Sequence, residues 1–114
     1  MANVRQQKGK AMHALPVPPA ALRDENTVHM LGSWIAEEGL HCSLNVGFFR
    51  ANGHDEPRAW GIMLADVVRH LADALSKDQG MDRQASIEAM LSALQDELAE
   101  PTSDTDGDFV AKPN

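Results

Sequence analysis

The chain of 114 residues has one cysteine, no tyrosine, two tryptophans and three phenylalanines. A single cysteine excludes an internal disulfide and is typical of a reducing compartment. Because aromatic residues are scarce, the core must consist mainly of Leu, Ile, Val, Met and Ala. No apolar run approaches the roughly 20 residues of a membrane-spanning helix, and no apolar segment follows the basic N-terminus as in a secretory signal. We therefore expect a cytoplasmic protein that does not enter a membrane.

Basic residues are also few, since ten Lys and Arg stand against 17 Asp and Glu, a formal net charge of −7. This balance argues against nucleic acid as a partner, because phosphate binding depends on clustered Lys and Arg. Residues 1–10 form a basic arm and residues 101–114 an acidic tail. Both are polar and without periodicity, so they are predicted to be disordered. A single domain is expected over residues 11–100.

Residues 40–48 show strand periodicity, with apolar side chains at every second position from Leu40 to Phe48. A period of two places this set on one face of a strand and the polar set, which includes His41, on the other. A strand must also pair its backbone groups. The expected partner is residues 11–15, the same strand of a second copy, or both. The sequence thus favours a homodimer.

Three helices are predicted from apolar residues at helical spacing and from residues that begin or end helices. The predicted fold is a small α+β domain with one main strand, a second short N-terminal strand as the alternative, and these helices packed against it. The first helix is expected from Asp24 or Asn26 to Glu38, the second from Asp55 to Gly80, and the third from Asp82 to Pro101.

His41 and Cys42 are adjacent, which suggests a histidine-activated nucleophile. Neighbours on a strand point to opposite faces, so the two cannot form a catalytic dyad with each other. Cys42 shares the apolar face, where a cysteine is expected to be a small buried hydrophobe. No other catalytic, metal or cofactor motif is present, so no catalytic residue, metal ligand or cofactor is predicted.

The polar strand face and the polar side of the second helix are the remaining candidate surfaces. Asp66 and His70 lie one helical turn apart, but two ligands do not make a metal site. Such faces are more often solvated than functional, and a carboxylate–imidazole pair is the commoner outcome. The candidate ligand or partner residues are His41, Ser43, Asn45, Asp66, Arg69 and His70.

Three segments together carry a family resemblance: LPVPPAAL at residues 15–22, SWIAEEGLHCSL at 33–44 and AWGIMLADVVRHLADAL at 59–75. The combination resembles a family of small bacterial proteins of unknown function that is typical of alphaproteobacteria. The likeness extends over roughly residues 12–100. It implies a stand-alone cytosolic domain, and it brings no established activity, cofactor or catalytic residue.

Two functions follow as hypotheses. The first is a non-catalytic cytoplasmic protein that acts through homodimerisation and through contacts with an unidentified protein partner. The alternative is a small-ligand or metal-binding module that uses the polar strand face and the polar side of the second helix. An enzymatic role has no positive support in the sequence beyond the presence of histidines, so it is the least favoured.

Overall fold

The computed structural model describes residues 14–103. They form a small α+β structure with a two-stranded antiparallel sheet and four helices. The chain divides into two compact units, the first ending at Leu44 and the second beginning at Asn45. The elements in chain order are α1 (Pro19–Arg23), β1 (Leu31–Ala36), β2 (Gly39–Leu44), α2 (Phe48–Ala51), α3 (Glu56–Gln79) and α4 (Arg83–Ala99).

The predicted α+β class is confirmed, while the predicted one strand and three helices are only roughly right. The predicted disordered segments, residues 1–10 and most of 101–114, lie outside the described residues. The proposed N-terminal strand is not seen at residues 14–18, which have no regular structure, and its residues 11–13 also lie outside the described part.

The predicted first helix is wrong, because residues 31–36 form strand β1 and pair with β2. The apolar spacing of Leu31 and Ile35 fits either structure, since one helical turn and two strand repeats both span four residues. Gly32 and Ser33 are poor helix formers, and the β-branched Ile35 suits a strand. Pairing with β2 then decides between the two structures.

A two-residue turn joins β1 to β2. Ala36 pairs with Gly39, and Glu37 and Glu38 both have positive φ, at 50° and 64°. Such a turn matches the natural twist of the two strands, but it is usually built from Asn and Gly. The hairpin is therefore closed by two residues in a conformation that costs energy for a side chain with a Cβ.

Gly32 lies beneath the indole of Trp34, two positions along the same face of β1. A Cβ added at Gly32 would be 2.7 Å from the Trp34 Cη2 atom, which is shorter than any normal contact. Glycine leaves room here for the aromatic ring, which folds back over the strand and would have to shift if a Cβ were present.

Strand β2 is shorter than the predicted strand of residues 40–48. It ends at Leu44, the chain turns at residues 46–47, and Phe48 begins the short helix α2. The predicted alternation therefore holds only within β2. Beyond it, Phe48 and Phe49 pack in a T-shaped pair with ring centroids 5.8 Å apart.

Helix α3 begins and ends as predicted. The Asp55 carboxylate accepts a hydrogen bond of 3.0 Å from the Arg58 N–H, and Pro57 occupies the first turn, where no N–H is needed. Gly80 ends the helix in the left-handed conformation, with φ 66°.

Helix α4 also matches its prediction, with Asp82 capping it through a 2.8 Å bond from the Ala85 N–H. It packs beside α3, and Ala72 of α3 is the one buried apolar residue of the described chain. No helix within residues 14–103 is both long enough and apolar enough to cross a membrane.

Candidate interaction surfaces

Three of the predicted residues, Asp66, Arg69 and His70, lie exposed on one side of α3. Arg69 donates to the Asp66 carboxylate one turn away, and about half of each side chain is exposed. Asp66 therefore pairs with Arg69. The sequence had suggested a pair with His70 instead. An exposed pair of this kind contributes little to stability, so its charges remain available to a partner.

Asp73 extends this charged side and connects it to α4. The Arg83 Nε donates to an Asp73 carboxylate oxygen at 2.6 Å. The hydrogen bond from Arg83 holds the pKa of Asp73 below its usual range, with smaller contributions from the positive charges of Lys77 and His70. The pair joins the two long helices near the turn between them.

His41 and Ser43 lie on the face of the sheet that also carries Trp34, which is the direct cross-strand neighbour of His41. The His41 Nε2 atom is 3.0 Å from the Ala36 carbonyl oxygen. Since a carbonyl can only accept, Nε2 is the nitrogen that carries the proton in this bond. His41 therefore ties the strand to the end of the turn.

Cys42 lies on the opposite face, so the structure agrees that it cannot form a dyad with His41. Its Sγ atom is 3.5 Å from the Ser33 hydroxyl oxygen across the hairpin. The thiol is free and exposed, and the expectation of a buried cysteine is wrong. It shares this face with a set of apolar residues, namely Leu31, Ile35, Leu40 and Leu44.

Asn45 follows β2 directly and is partly buried. It belongs to the second unit together with Asp66, Arg69 and His70, whereas His41 and Ser43 belong to the first. Within residues 14–103, no three His, Cys, Asp or Glu side chains are grouped as metal ligands. The ligand-binding alternative stays a prediction.

Glu56 organises the start of the second unit, a role that the sequence did not suggest. One carboxylate oxygen accepts from the Gly47 N–H at 2.9 Å and from the Trp60 indole N–H at 2.8 Å. The other accepts from the Arg50 N–H at 2.7 Å. The carboxylate thus satisfies backbone donors at the start of α2 and fixes the Trp60 ring.

The Trp60 ring is held on its other side by an aromatic contact. It packs edge-to-face against Phe49, with centroids 5.7 Å apart and planes at 90°. This geometry is favoured between aromatic rings. Glu56 lies in the first turn of α3, where an acid is common for other reasons, so no signal in the sequence marked its reach back to α2. The ion pair of Asp73 and Arg83 was likewise not predicted. The signal that could have found it is their position on either side of the Gly80 turn.

These surfaces define a class of protein: a small α+β domain that presents a charged helix side and apolar strand and helix faces. The chain belongs to the family described as a domain of unknown function, DUF5076, whose model matches residues 14–102. This confirms that the resemblance was to a family of unknown function.

The chain is also similar to a solved structure described as a "putative pyruvate dehydrogenase" from the photosynthetic bacterium Rhodopseudomonas palustrus CGA009. The two are 21% identical with a TM-score of 0.64, and the match covers 89% of this chain and 98% of that one. At this identity the likeness shows a shared fold and nothing of activity. No curated protein matches the chain.

Proposed function

We propose that this protein is a non-catalytic cytoplasmic protein that acts by forming a homodimer and by binding another protein through the charged side of α3. The observation that carries the proposal is the exposure of large apolar side chains in both units. Contiguous exposed apolar surface on a small protein marks a site of association. A domain that buries a single apolar residue in its described part also needs further burial to be stable.

Helix α4 provides the clearest case. Leu91, Leu94 and Leu98 lie at i, i+3 and i+7 and are exposed by 51%, 46% and 81%. This spacing is that of a stripe that packs against another element. The stripe continues from the partly buried Ile87 and Met90, which lie one turn before Leu91 and Leu94, so its last turns are the part left exposed.

Helix α3 repeats the pattern with Leu64, Val67 and Leu71, which are each exposed by roughly two-fifths to a half. The partly buried Val68 and Leu75 lie one turn beyond Leu64 and Leu71, so this stripe is shielded in part and open in part. Each long helix thus leaves part of its apolar stripe open. A second copy of the chain would cover both stripes with surfaces of the same kind.

Polar groups with catalytic potential are instead engaged in local bonds. His41 donates to a carbonyl of its own hairpin, Asp66 pairs with Arg69, and Glu56 accepts from two backbone N–H groups and an indole. These contacts support a structural use of each group. The free, exposed Cys42 fits a reducing cytoplasm.

Sedimentation equilibrium over a wide range of protein concentrations tests the dimer. We expect a dimer mass for the wild-type chain and weaker association for L94Q, because the substitution places a polar amide in the α4 stripe. The matched control D96N, on the opposite exposed side of α4, should associate like the wild type. A monomer mass at every concentration would refute the proposal.

A separate experiment tests the charged side of α3 as the surface that binds another protein. Proteins that co-purify with the wild-type chain from its own cells are compared with those recovered by R69A and by the control K77A. Loss of the same protein with R69A alone supports the assignment, since Arg69 and Lys77 are both cations on α3. Equal recovery by all three proteins contradicts it.

A further inference from the structure

The hairpin of β1 and β2 is incomplete as a folded element. A single two-stranded hairpin is at best marginally stable in water. Its apolar face carries Ile35 and Leu40 with exposed fractions of 88% and 67%, and no third strand extends the sheet within residues 14–103. The hairpin therefore needs a strand that lengthens both the hydrogen-bond ladder and the apolar face.

The register shows which backbone groups remain for such a strand. Ala36 and Gly39 flank the two-residue turn and form a hydrogen-bonded pair, and such pairs alternate along an antiparallel ladder with pairs whose groups point outward. The outward-pointing residues are Leu31, Ser33 and Ile35 on β1 and Leu40, Cys42 and Leu44 on β2.

The two edges differ in availability. On β1, the His29 side chain occupies the outer edge, because its Nε2 lies 3.2 Å from the Leu31 carbonyl oxygen. On β2, the described contacts include no backbone hydrogen bond to the outward groups of Leu40, Cys42 or Leu44. Among the described residues the outer edge of β2 is thus open along its whole length, whereas that of β1 is covered at Leu31.

We propose that β2 pairs antiparallel with β2 of a second copy across a two-fold axis at Cys42, giving a four-stranded sheet with β1 of each copy outside. The proposal rests on the homodimer proposed above and adds to the helix stripes a contact made by the first unit. An identical strand is the natural occupant, because a two-fold axis makes a strand edge complementary to itself.

Geometry selects this register. Outward-pointing residues can only pair with outward-pointing residues, so the axis must pass at His41, Cys42 or Ser43 if most of the strand is to be used. The axis at Cys42 gives three hydrogen-bonded pairs, whereas the other two positions give two. It also places Leu40 opposite Leu44 of the second copy, so the apolar faces of the two hairpins become continuous.

The axis at Cys42 brings the two Cys42 residues together as a hydrogen-bonded pair. Their Cα atoms would be about 5.5 Å apart, within the range of a disulfide. Diamide, which takes up two hydrogens as it joins two thiols, should therefore link the wild-type chain into a covalent dimer. The thiol serves here only as a probe of distance.

Two single-cysteine controls move the thiol by one residue: H41C with C42S, and S43C with C42S. In the proposed register, each moved cysteine is displaced along the strand from its counterpart, and its Cα is more than ~7 Å away. We expect rapid linking of wild type alone on a non-reducing gel. Preferential linking of either double variant would overturn the register, and equal linking of all three proteins would indicate random collision and overturn the contact.

A second measurement separates this contact from dimerisation itself. L40K should raise the dimer dissociation constant about tenfold, because it removes both copies of the Leu40–Leu44 cross-strand pair. I35K, on the same face but away from the seam, should have a much smaller effect. If sedimentation shows a dimer that L40K leaves untouched and Cys42 does not link, the β2 contact is wrong while the dimer stands. A strict monomer refutes both.

Discussion

The indole N–H of Trp60 donates to the Glu56 carboxylate at 2.8 Å, one helical turn away. The same oxygen also accepts the Gly47 N–H, and its twin accepts the Arg50 N–H. One acidic side chain therefore fixes the start of α3, the short helix α2 and the aromatic ring between them. This carboxylate therefore connects α2 to the first turn of α3.

Replacing Glu56 should therefore destabilise the second unit. E56A leaves three donors without their charged acceptor, and we expect a loss of about 2–3 kcal/mol. E56Q should fall between E56A and the wild type, because its amide can accept through one atom only. Urea denaturation followed by circular dichroism measures the difference.

The control for Glu56 is E88A, since Glu88 accepts only a 3.3 Å bond from Gln84 on the surface of α4. Its effect should stay within about 0.5 kcal/mol. Equal stability of E56A and E88A would show that the Glu56 bonds contribute nothing beyond an ordinary surface contact.

Gly32 is predicted to be intolerant of a side chain while Trp34 is present. G32A should displace the indole and cost about 1 kcal/mol, and it should shift the Trp34 indole resonance in an amide NMR spectrum while that of Trp60 stays in place. In a W34A background the same substitution should cost nothing, because the clashing atom is gone. An unchanged cost in that background would place the clash elsewhere.

The turn at residues 37–38 should be open to stabilisation. Glu38 has φ 64°, and E38G removes the Cβ that disfavours this conformation, for a net gain of about 0.5–1 kcal/mol after the backbone entropy of glycine is counted. E38A removes the carboxylate but keeps the Cβ, so it should give no such gain. Thermal unfolding distinguishes the two, and an equal gain from both would assign the effect to charge.

The ion pair between Asp73 and Arg83 should make stability depend on pH. Because the pKa of Asp73 is lowered in the folded state, its contribution is present above the unfolded pKa of about 4. It is lost as the pH falls through the lower folded value. D73N should thus be less stable than wild type at pH 7, and the difference should shrink steadily below pH 4.

Urea midpoints at several pH values between 2 and 7 test this behaviour. The matched control D78N removes an exposed carboxylate from the same helix and should show a smaller, flatter difference from wild type. A D73N difference that persists unchanged into acid would exclude the ion pair as its cause.

The sequence predicts best those elements whose structure depends on residues close together in the chain. Asp55 with Pro57, Gly80 and Asp82 marked the ends of α3 and the start of α4, because capping acts on backbone groups within a few residues. The charged side of α3 followed from the helical spacing of the apolar residues on its other side. Residues 31–36 were mispredicted, because Leu31 and Ile35 fit both a helix and a strand.

By itself, then, the sequence determined the two long helices, their boundaries and which of their sides is charged, since each depends on contacts within one or two turns. Only the tertiary structure decided that residues 31–36 pair with β2, that Glu56 reaches back to Gly47 and Arg50, and that Asp73 meets Arg83. These are choices between partners distant along the chain. Their energies come from hydrogen bonds and packing that no local pattern of residues encodes.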